Sequence, residues 1–287
     1  MQALNQAQSA TQVEPKSAAV IGPPNGFVQL NLQDLWEYRE LLYFLVWRDV
    51  KVRYKQTVIG AGWAILQPFF TMVIFTLFFG QLAQLPSGGV PYPVFYYSAL
   101  LPWMYFAQAL SSAANTMVEN QRIITKIYFP RLILPLAAVL SGLVDFSIAF
   151  TILIGLMWFY GIVPTLAVLL LPLFLLLSVA TALGVGLWLS ALNAIYRDVR
   201  YVIPFLVQSW MFASPVAYPS SLVPEGWRWL YALNPMAGVI EGFRWALTGQ
   251  GQLSGSLLLA STGAVLLALL GGLLYFQRIE ETIADVV

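Results

Sequence analysis

The side chains that most often perform chemistry in enzymes are missing from this chain. It contains no Cys and no His, which excludes thiolate nucleophiles, Cys/His zinc sites and imidazole acid–base catalysis. It also lacks the Gly-x-x-x-x-Gly-Lys-Ser/Thr loop and the Gly-x-Gly-x-x-Gly turn that bind nucleotide phosphates. We therefore predict no catalytic residue, and no metal or cofactor bound by this chain.

Asp145 is the one acidic side chain that falls well inside a long apolar stretch. An ionisable residue at membrane depth is a functional candidate, because a charge there is costly to keep. A protonated or hydrogen-bonded Asp between helices is the structural alternative. The alternative is slightly favoured, because no intramembrane Lys, Arg or second carboxylate offers Asp145 a partner for a relay.

Two Glu–Arg pairs lie in the segment 215–250, at Glu225/Arg228 and Glu241/Arg244. Each pair has i, i+3 spacing, which lets the two side chains meet on one helix face. The segment is apolar, but four prolines cut it into pieces too short to cross a bilayer. We predict two short helices that enter the outer leaflet and return. They either line a cavity or form a lid.

The polar segment 118–131 holds the charges most suited to binding a partner protein. Glu119, Arg122 and Lys126 fall at i, i+3 and i+7, so a short helix ended by Pro130 would present them on one face. The segment is either an ordinary connector or a docking site for a partner. The docking candidates are Glu119, Arg122, Lys126, Tyr128 and Arg131.

Aromatic side chains make up 15% of the chain and crowd two regions, near 92–106 and near 210–245. Most should belong to the aromatic belts found at membrane interfaces. Those that face inward could instead stack on the C–H faces of sugar rings. The channel-lining candidates, taken together with Asp145, are Tyr96, Tyr97, Trp103, Tyr105, Phe106 and Trp210.

Composition indicates the kind of element that must position these residues. Hydrophobic residues make up 59% of the chain and charged residues 9%, whereas about 25% is usual for a soluble domain. The outer surface must therefore face lipid, and we predict an all-α membrane protein. Six stretches are apolar enough to be candidate crossings, although the fifth is shorter and interrupted by proline: 60–82, 93–117, 132–160, 165–193, 201–217 and 253–276.

The basic residues are distributed unevenly between the loops of this six-crossing arrangement. Twelve of the 14, among them Lys16 and Arg197, fall on one side, and only Arg228 and Arg244 fall on the other. By the positive-inside rule, both termini are cytoplasmic. We predict a disordered cytoplasmic tail over 1–30, a six-helix transmembrane domain over 58–278 and a cytoplasmic tail over 279–287.

The segment 31–57 precedes the first crossing and has the pattern of an amphipathic helix. Asn31 can cap it, and apolar residues including Leu35, Leu42 and Leu45 recur at helical spacing. The apolar run 41–47 is too short to span. We predict a helix in the cytoplasmic interface that acts either as an anchor or as a gate.

Four segments form a pattern together: Trp47–Thr57 with Gly60, Trp63 and Gln67–Pro68; Ile124–Arg131; Asn193–Arg200; and Leu233–Met236. These segments resemble the type-2 ABC exporter permeases, and most closely the branch that exports O-antigen, capsule and teichoic acid. The resemblance implies a channel formed by two copies of the chain, above two copies of a separate subunit that binds ATP and Mg. It implies that 118–131 is a coupling helix, 31–57 a gate helix and 215–250 a re-entrant pair.

The resemblance implies a function as the permease of an exporter that moves a lipid-linked polysaccharide across the inner membrane. An exporter of drugs or small lipids with the same fold is an alternative. An alternative of another class, an integral membrane glycosyltransferase, is disfavoured. Such an enzyme needs acid–base or metal-binding carboxylates near a bilayer face, whereas only Glu225 and Glu241 lie on the outer face here and each has a nearby Arg. The gate-helix residues implied by the resemblance are Trp36, Tyr38, Tyr43, Trp47 and Arg48.

Overall fold

The computed structural model describes residues 32–55, 60, 62–196, 198–250 and 254–286, with side chains described over 35–280. The predicted tail 1–30 with Lys16, the cap Asn31 and the basic residue Arg197 lie outside the described residues. All regular elements in the described part are helical, which confirms the predicted all-α class. The α-helices are α1 (Leu32–Glu37), α2 (Arg39–Lys55), α3 (Gly62–Phe75), α4 (Tyr92–Glu119), α5 (Gln121–Ile124), α6 (Ile133–Phe159), α7 (Leu171–Ile195), α8 (Val199–Phe212), α9 (Arg228–Ala232), α10 (Pro235–Thr248) and α11 (Gly255–Val286).

Four helical stretches of the described chain are long and apolar enough to cross a membrane. They coincide with four of the six predicted crossings, and the chain is a multi-pass membrane protein. The first joins α3 to a π-helical continuation, and the third joins a 3₁₀ turn to α7. The stretches are Gly62–Leu82, Ile133–Phe159, Leu166–Ile195 and Gly255–Glu280.

The other two predicted crossings have different structures. α4 has ample length at 28 residues, but most of its residues are buried by neighbouring helices. It packs against α3, α6, α7, α8 and α10, so it occupies the centre of the bundle. α8 has only 14 residues, fewer than the ~20 that a spanning helix needs. The count of six crossings therefore stays a prediction.

Small residues allow α7 and α11 to pack closely. A Cβ placed on Gly184 would lie 2.6 Å from the backbone nitrogen of Leu269 and 2.7 Å from its Cα. A Cβ on Gly272 would collide with the carbonyl oxygen of Gly184. This close backbone approach is typical of helix pairs in membranes, where packing rather than water exclusion drives association.

We expect Gly184→Ala to destabilise the bundle by about 1–3 kcal/mol, because the colliding atoms belong to backbone that cannot shift alone. The measurement is the apparent melting temperature of the purified protein. Gly155→Ala is the matched control, since it adds the same methyl group to helix α6 where nothing lies within 4 Å. Equal melting temperatures for the two variants would contradict this account of the α7–α11 contact.

The predicted interfacial helix is two helices, α1 and α2, separated by a turn at Tyr38. Its apolar face packs against the protein, because Leu45 is buried in a cluster with Met117, Phe129 and Phe276. Its other face keeps large exposed aromatic side chains. The helix pair is therefore docked through one face, with α2 packed against α6, and its second apolar face stays exposed.

The segment 215–250 contains one substantial helix, not two similar short ones. Two 3₁₀ turns and the five-residue α9 precede α10, which has 14 residues. Asn234 caps α10 by accepting a hydrogen bond from the backbone N–H of Met236, and Pro235 follows at the first helical position. Gly249 ends the helix in the left-handed conformation. That the segment enters and leaves the same leaflet stays a prediction.

Candidate functional site

Asp145 has charged and polar partners, contrary to the expectation that no cation is available to it. Arg53 forms an ion pair with one of its carboxylate oxygens, and the Tyr54 hydroxyl donates to the other. Arg53 also reaches the Ser141 hydroxyl, one turn earlier on α6, at 3.4 Å. The expectation was wrong because it considered only residues within the apolar stretches. The partners lie about 90 positions earlier, at the end of α2, and that end packs against α6.

The Arg53–Asp145 pair borders a partly open cavity of about 240 Å³. Its walls come from the end of α2, from α3 and from the facing parts of α4 and α6. The wall combines polar side chains with aromatic rings and aliphatic groups. Its polar and aromatic members include Arg53, Trp63, Gln67, Tyr105, Gln108 and Asp145.

Tyr54 serves as a fixed hydrogen-bond donor in this cluster. Burial raises the pKa of its phenol well above the usual range, and the hydrogen bond to Asp145 acts in the same direction. The phenol therefore keeps its proton across the physiological pH range. The carboxylate of Asp145 is held on one side by a cation and on the other by a permanent donor.

Most of the predicted channel-lining aromatics are packed inside the single chain. Tyr96, Tyr97 and Phe106 are fully buried, and Trp103 and Tyr105 nearly so, because they all belong to the central helix α4. The Tyr97 hydroxyl donates to the carbonyl of Ala149 on α6 at 3.1 Å. Tyr105 alone among these five borders the cavity beside Asp145.

Trp210, the sixth predicted aromatic, borders a second and more open cavity of about 470 Å³. This cavity lies between the end of α8 and the segment 215–250, and Tyr218, Trp227 and Tyr231 also contribute to its wall. The side chain of Asn234 connects the elements that form the wall of this cavity. Its amide oxygen accepts from the Trp210 indole at 2.9 Å, and its amide nitrogen donates to Ala213 and Ser214.

Both predicted Glu–Arg pairs form, and they differ sharply in burial. Glu225 and Arg228 are 3.4 Å apart, with side chains 89% and 55% exposed. Glu241 and Arg244 are 3.2 Å apart, with side chains only 16% and 5% exposed. The Arg244 guanidinium also donates to the carbonyl of Pro215 at 2.7 Å and lies 3.9 Å from the ring centroid of Phe95. The second pair thus joins α10 to α4 and to the turn that follows α8.

The predicted coupling helix does not form as one continuous helix. α4 ends at Glu119 and the four-residue α5 follows Asn120, so Glu119, Arg122 and Lys126 do not share one helix face. Asn120 interrupts the helix because its side-chain amide turns back to bond Thr116. Glu119, Arg122 and Lys126 are nevertheless all exposed.

The most prominent feature of this loop is an apolar tip. The Tyr128 side chain is 91% exposed and that of Ile127 is 60% exposed, whereas the next residue, Phe129, is buried in the cluster that receives Leu45. Phe129 therefore fixes the base of the loop while Tyr128 projects from it. We call residues 122–128 the coupling tip.

Arg131 ties the base of this loop to the final helix. Its backbone N–H donates to the Glu280 carboxylate at 2.9 Å, and its guanidinium donates to the Glu280 carbonyl oxygen. Arg131 begins the turn into α6, and Glu280 lies near the end of α11. The predicted docking residue Arg131 is therefore a link between the loop and α11.

We expect Arg131→Ala to loosen the last turns of α11, because a charge-assisted hydrogen bond worth about 1.5–3 kcal/mol is lost. Backbone amides near Glu280 should exchange with deuterium at least tenfold faster. Arg278→Ala is the control, since that basic side chain is exposed only two residues from Glu280 on the same helix. Identical exchange in the two variants would show that Arg131 does not hold α11.

The predicted gate residues divide between the two faces of α1 and α2. Trp36, Tyr43 and Trp47 are at least half exposed, whereas Tyr38 is partly buried against the protein. Arg48 is paired with the adjacent Asp49 at 2.8 Å. The exposed aromatics form the outer surface of the helix pair, and Arg53 and Tyr54 hold its end to α6.

Comparison with known proteins shows which family this arrangement belongs to. The family model described as "ABC-2 type transporter" matches residues 40–248, most of the described chain. The chain belongs to the ABC-2 type transporter family. Among its relatives, the O-antigen export system permease protein RfbA of Myxococcus xanthus is 32% identical over 74% of this chain and 82% of its own length.

Two further ABC-2 relatives are more distant. The O-antigen export system permease protein RfbA of Klebsiella pneumoniae is 29% identical over 71% of this chain and 79% of its own length. The polysialic acid transport protein KpsM of Escherichia coli is 23% identical over 68% of this chain and 76% of its own length.

Within this ABC-2 chain, the structure gives specific roles to two residues of the segments that carried the resemblance. Asn193 on α7 donates to the carbonyl of Ala114 and to the side chain of Asn115 on α4, at 3.0 and 3.1 Å. Asn234 joins α8 to α10 as described above. Sequence reasoning did not assign either residue a role. Both are Asn residues in an otherwise apolar sequence. A buried amide needs polar partners, so this pattern could have indicated the two contacts.

Proposed function

We propose that this chain is the permease subunit of an ATP-driven exporter of a lipid-linked, O-antigen-like polysaccharide. The observation that carries the proposal is the similarity to an O-antigen export permease over 74% of the chain. The polymer moves from the cytoplasm across the cytoplasmic, or inner, membrane. In a bacterium with lipopolysaccharide, this step belongs to lipopolysaccharide biosynthesis.

The proposed topology has six crossings with both termini in the cytoplasm. Four of the crossings are the long apolar helices, and α4 forms another, which is second in chain order. α4 tolerates its polar residues because neighbouring helices cover most of them. The remaining crossing, fifth in chain order, is formed by α8 together with the segment 215–250, and this segment enters and leaves the outer leaflet. The one-sided distribution of basic residues supports this orientation.

The proposed partners are a second copy of this chain and two copies of a cytoplasmic ATPase subunit. The proposal of an ATPase partner rests on the coupling tip, where Tyr128 projects beside two exposed cations, Arg122 and Lys126. A large exposed aromatic residue rimmed by charge is typical of interface hot spots. ATP and Mg bind to the partner, and this chain performs transport without catalysis.

In the proposed mechanism, movement of the ATPase shifts the coupling tip, and this shift is passed on to the mouth of the channel. The tip is continuous in sequence with α4 and α6, and Arg131 at its base is bonded to Glu280 of α11. Motion of α6 reaches α2 through the contacts of Asp145 with Arg53 and Tyr54. α2 therefore follows α6 when the ATPase moves, and the cavity beside Asp145 changes its opening.

Deletion of the gene in the native cell tests this function. We expect lipid-linked polymer to accumulate on the cytoplasmic side, and the amount at the cell surface to fall at least tenfold. Complementation with the unchanged chain should restore surface polymer. Normal surface polymer in the deletion strain, with no second permease of this family present, would refute the proposal.

A further inference from the structure

Two glutamine side chains are placed where lipid contact would be unfavourable. Gln67 lies in α3 and Gln108 in α4, both within apolar helices, and both side chains are exposed. Both border the cavity beside Asp145. Neither side-chain amide is bonded to another residue in the described part of the chain. An unpaired amide is unfavourable against hydrocarbon, so this wall faces water, a polar ligand or polar groups of another protein chain. The charge and shape of the wall favour a polar ligand.

The charge at this wall favours a neutral ligand. Arg53 and Asp145 neutralise each other, and no second cation borders the cavity within the described residues. A phosphate group would meet the Asp145 carboxylate as well as Arg53, which would offset the attraction. A hydroxyl group meets no such conflict. The carboxylate has more acceptor positions than its two present donors use, and it remains partly exposed.

The remaining wall fits a ring that carries hydroxyl groups. The Trp63 side chain is 55% exposed and offers a flat apolar face at the cavity edge. Gln67 and Gln108 each offer both donors and an acceptor, which suits hydroxyl groups. The volume of about 240 Å³ is below the ~300–1,000 Å³ of sites for drug-sized molecules, so it admits one sugar ring at a time.

We propose that this cavity is a contact site for neutral sugar rings of the exported polymer, with hydroxyl groups bonded by Gln67, Gln108 and Asp145 and a ring face on Trp63. The inference rests on the proposed function and deepens it by naming the residues that touch the polymer. Because Arg53 and Asp145 also join α2 to α6, the sugar is held where the two helices meet.

Cysteine labelling of the complete transporter in native membranes provides the test, because the chain has no Cys of its own. Gln67→Cys and Gln108→Cys are each treated with a charged, water-soluble thiol reagent, with polymer synthesis on and off. We expect rapid labelling without polymer and at least tenfold slower labelling with it. Leu267→Cys, an exposed apolar position on α11, is the control and should stay unlabelled in both states.

Each contrary outcome has a distinct meaning. Equal labelling with and without polymer would show a water-filled cavity that sugar does not enter, and would overturn the inference. Absence of labelling in both states would show that the wall faces lipid or protein, with the same consequence. Protection of polymer-free membranes by inorganic pyrophosphate would replace the neutral sugar with an anionic group.

Surface polymer measured in the same strains separates this inference from the proposed function. A variant that exports polymer but shows unprotected Cys refutes the contact site and leaves the function intact. We also expect Gln108→Leu to lower the export rate about threefold to tenfold, the equivalent of one or two lost hydrogen bonds. Gln108→Asn should retain more of the rate, because it keeps the amide.

Discussion

Replacing Arg244 by Leu should destabilise this protein by about 3–5 kcal/mol, because it leaves the Glu241 carboxylate buried without its cation. The same change removes the hydrogen bond to the Pro215 carbonyl and the contact with the Phe95 ring. The apparent melting temperature of the purified chain should fall by roughly 10 °C. The segment 215–250 should also become accessible to proteases from outside, since Arg244 anchors it to α4.

The chain contains a matched control for this prediction. Arg228 pairs with Glu225 at the same i, i+3 spacing in the same segment, but both side chains are exposed. Arg228→Leu should leave the melting temperature nearly unchanged, because exposed ion pairs contribute little. Replacing both Glu241 and Arg244 by apolar residues should recover much of the lost stability. Equal effects of the two Arg→Leu changes would contradict the anchoring role.

Removing the Tyr128 ring should separate the permease from its ATPase. Tyr128→Ala deletes the most exposed large hydrophobic side chain of the coupling tip, and a central aromatic hot spot contributes about 2 kcal/mol or more to binding. The dissociation constant for the ATPase should rise about thirtyfold or more. Stimulation of ATP hydrolysis by the permease should be lost in proportion, while the melting temperature stays unchanged.

Two further variants distinguish docking from general damage. Trp158→Ala removes a comparably exposed aromatic ring at the end of α6, and it should leave ATPase binding intact. Reversing Arg122 and Lys126 to Glu should weaken binding in a salt-dependent manner, because exposed charges steer association. ATPase binding and stimulation that survive both Tyr128→Ala and this charge reversal would contradict the assignment of the tip.

Local features of this fold could be predicted from the sequence, and contacts between distant segments could not. The long apolar helices and both Glu–Arg pairs were predicted correctly, because hydropathy and i, i+3 spacing act over a few turns. The partners of Asp145 were missed because Arg53 and Tyr54 arrive from a separate helix that no local pattern brings to α6. Which contacts form across the bundle depends on packing, which a single sequence does not display.

The same distinction explains the outcome for the aromatic residues. Crowding near 92–106 indicated belt or channel positions, but α4 is covered by five other helices, so its rings pack inward. Composition reveals that a helix is aromatic, whereas burial depends on how many neighbours surround it. For the coupling segment, the exposure was predicted correctly and the local structure was not. The helix breaks at Asn120 because its side chain competes locally with the helix for hydrogen bonds.

The most direct test of the central claim is transport by the assembled exporter in inside-out membrane vesicles. Lipid-linked polymer is supplied on the outer surface of the vesicles, which corresponds to the cytoplasmic face, and a glycosidase is added after incubation. With this chain, its ATPase partner and ATP, polymer should become protected from the enzyme. It should remain fully degradable without ATP or with Tyr128→Ala. Polymer that stays degradable with the complete transporter, or becomes protected without this chain, would contradict its function as a polysaccharide export permease.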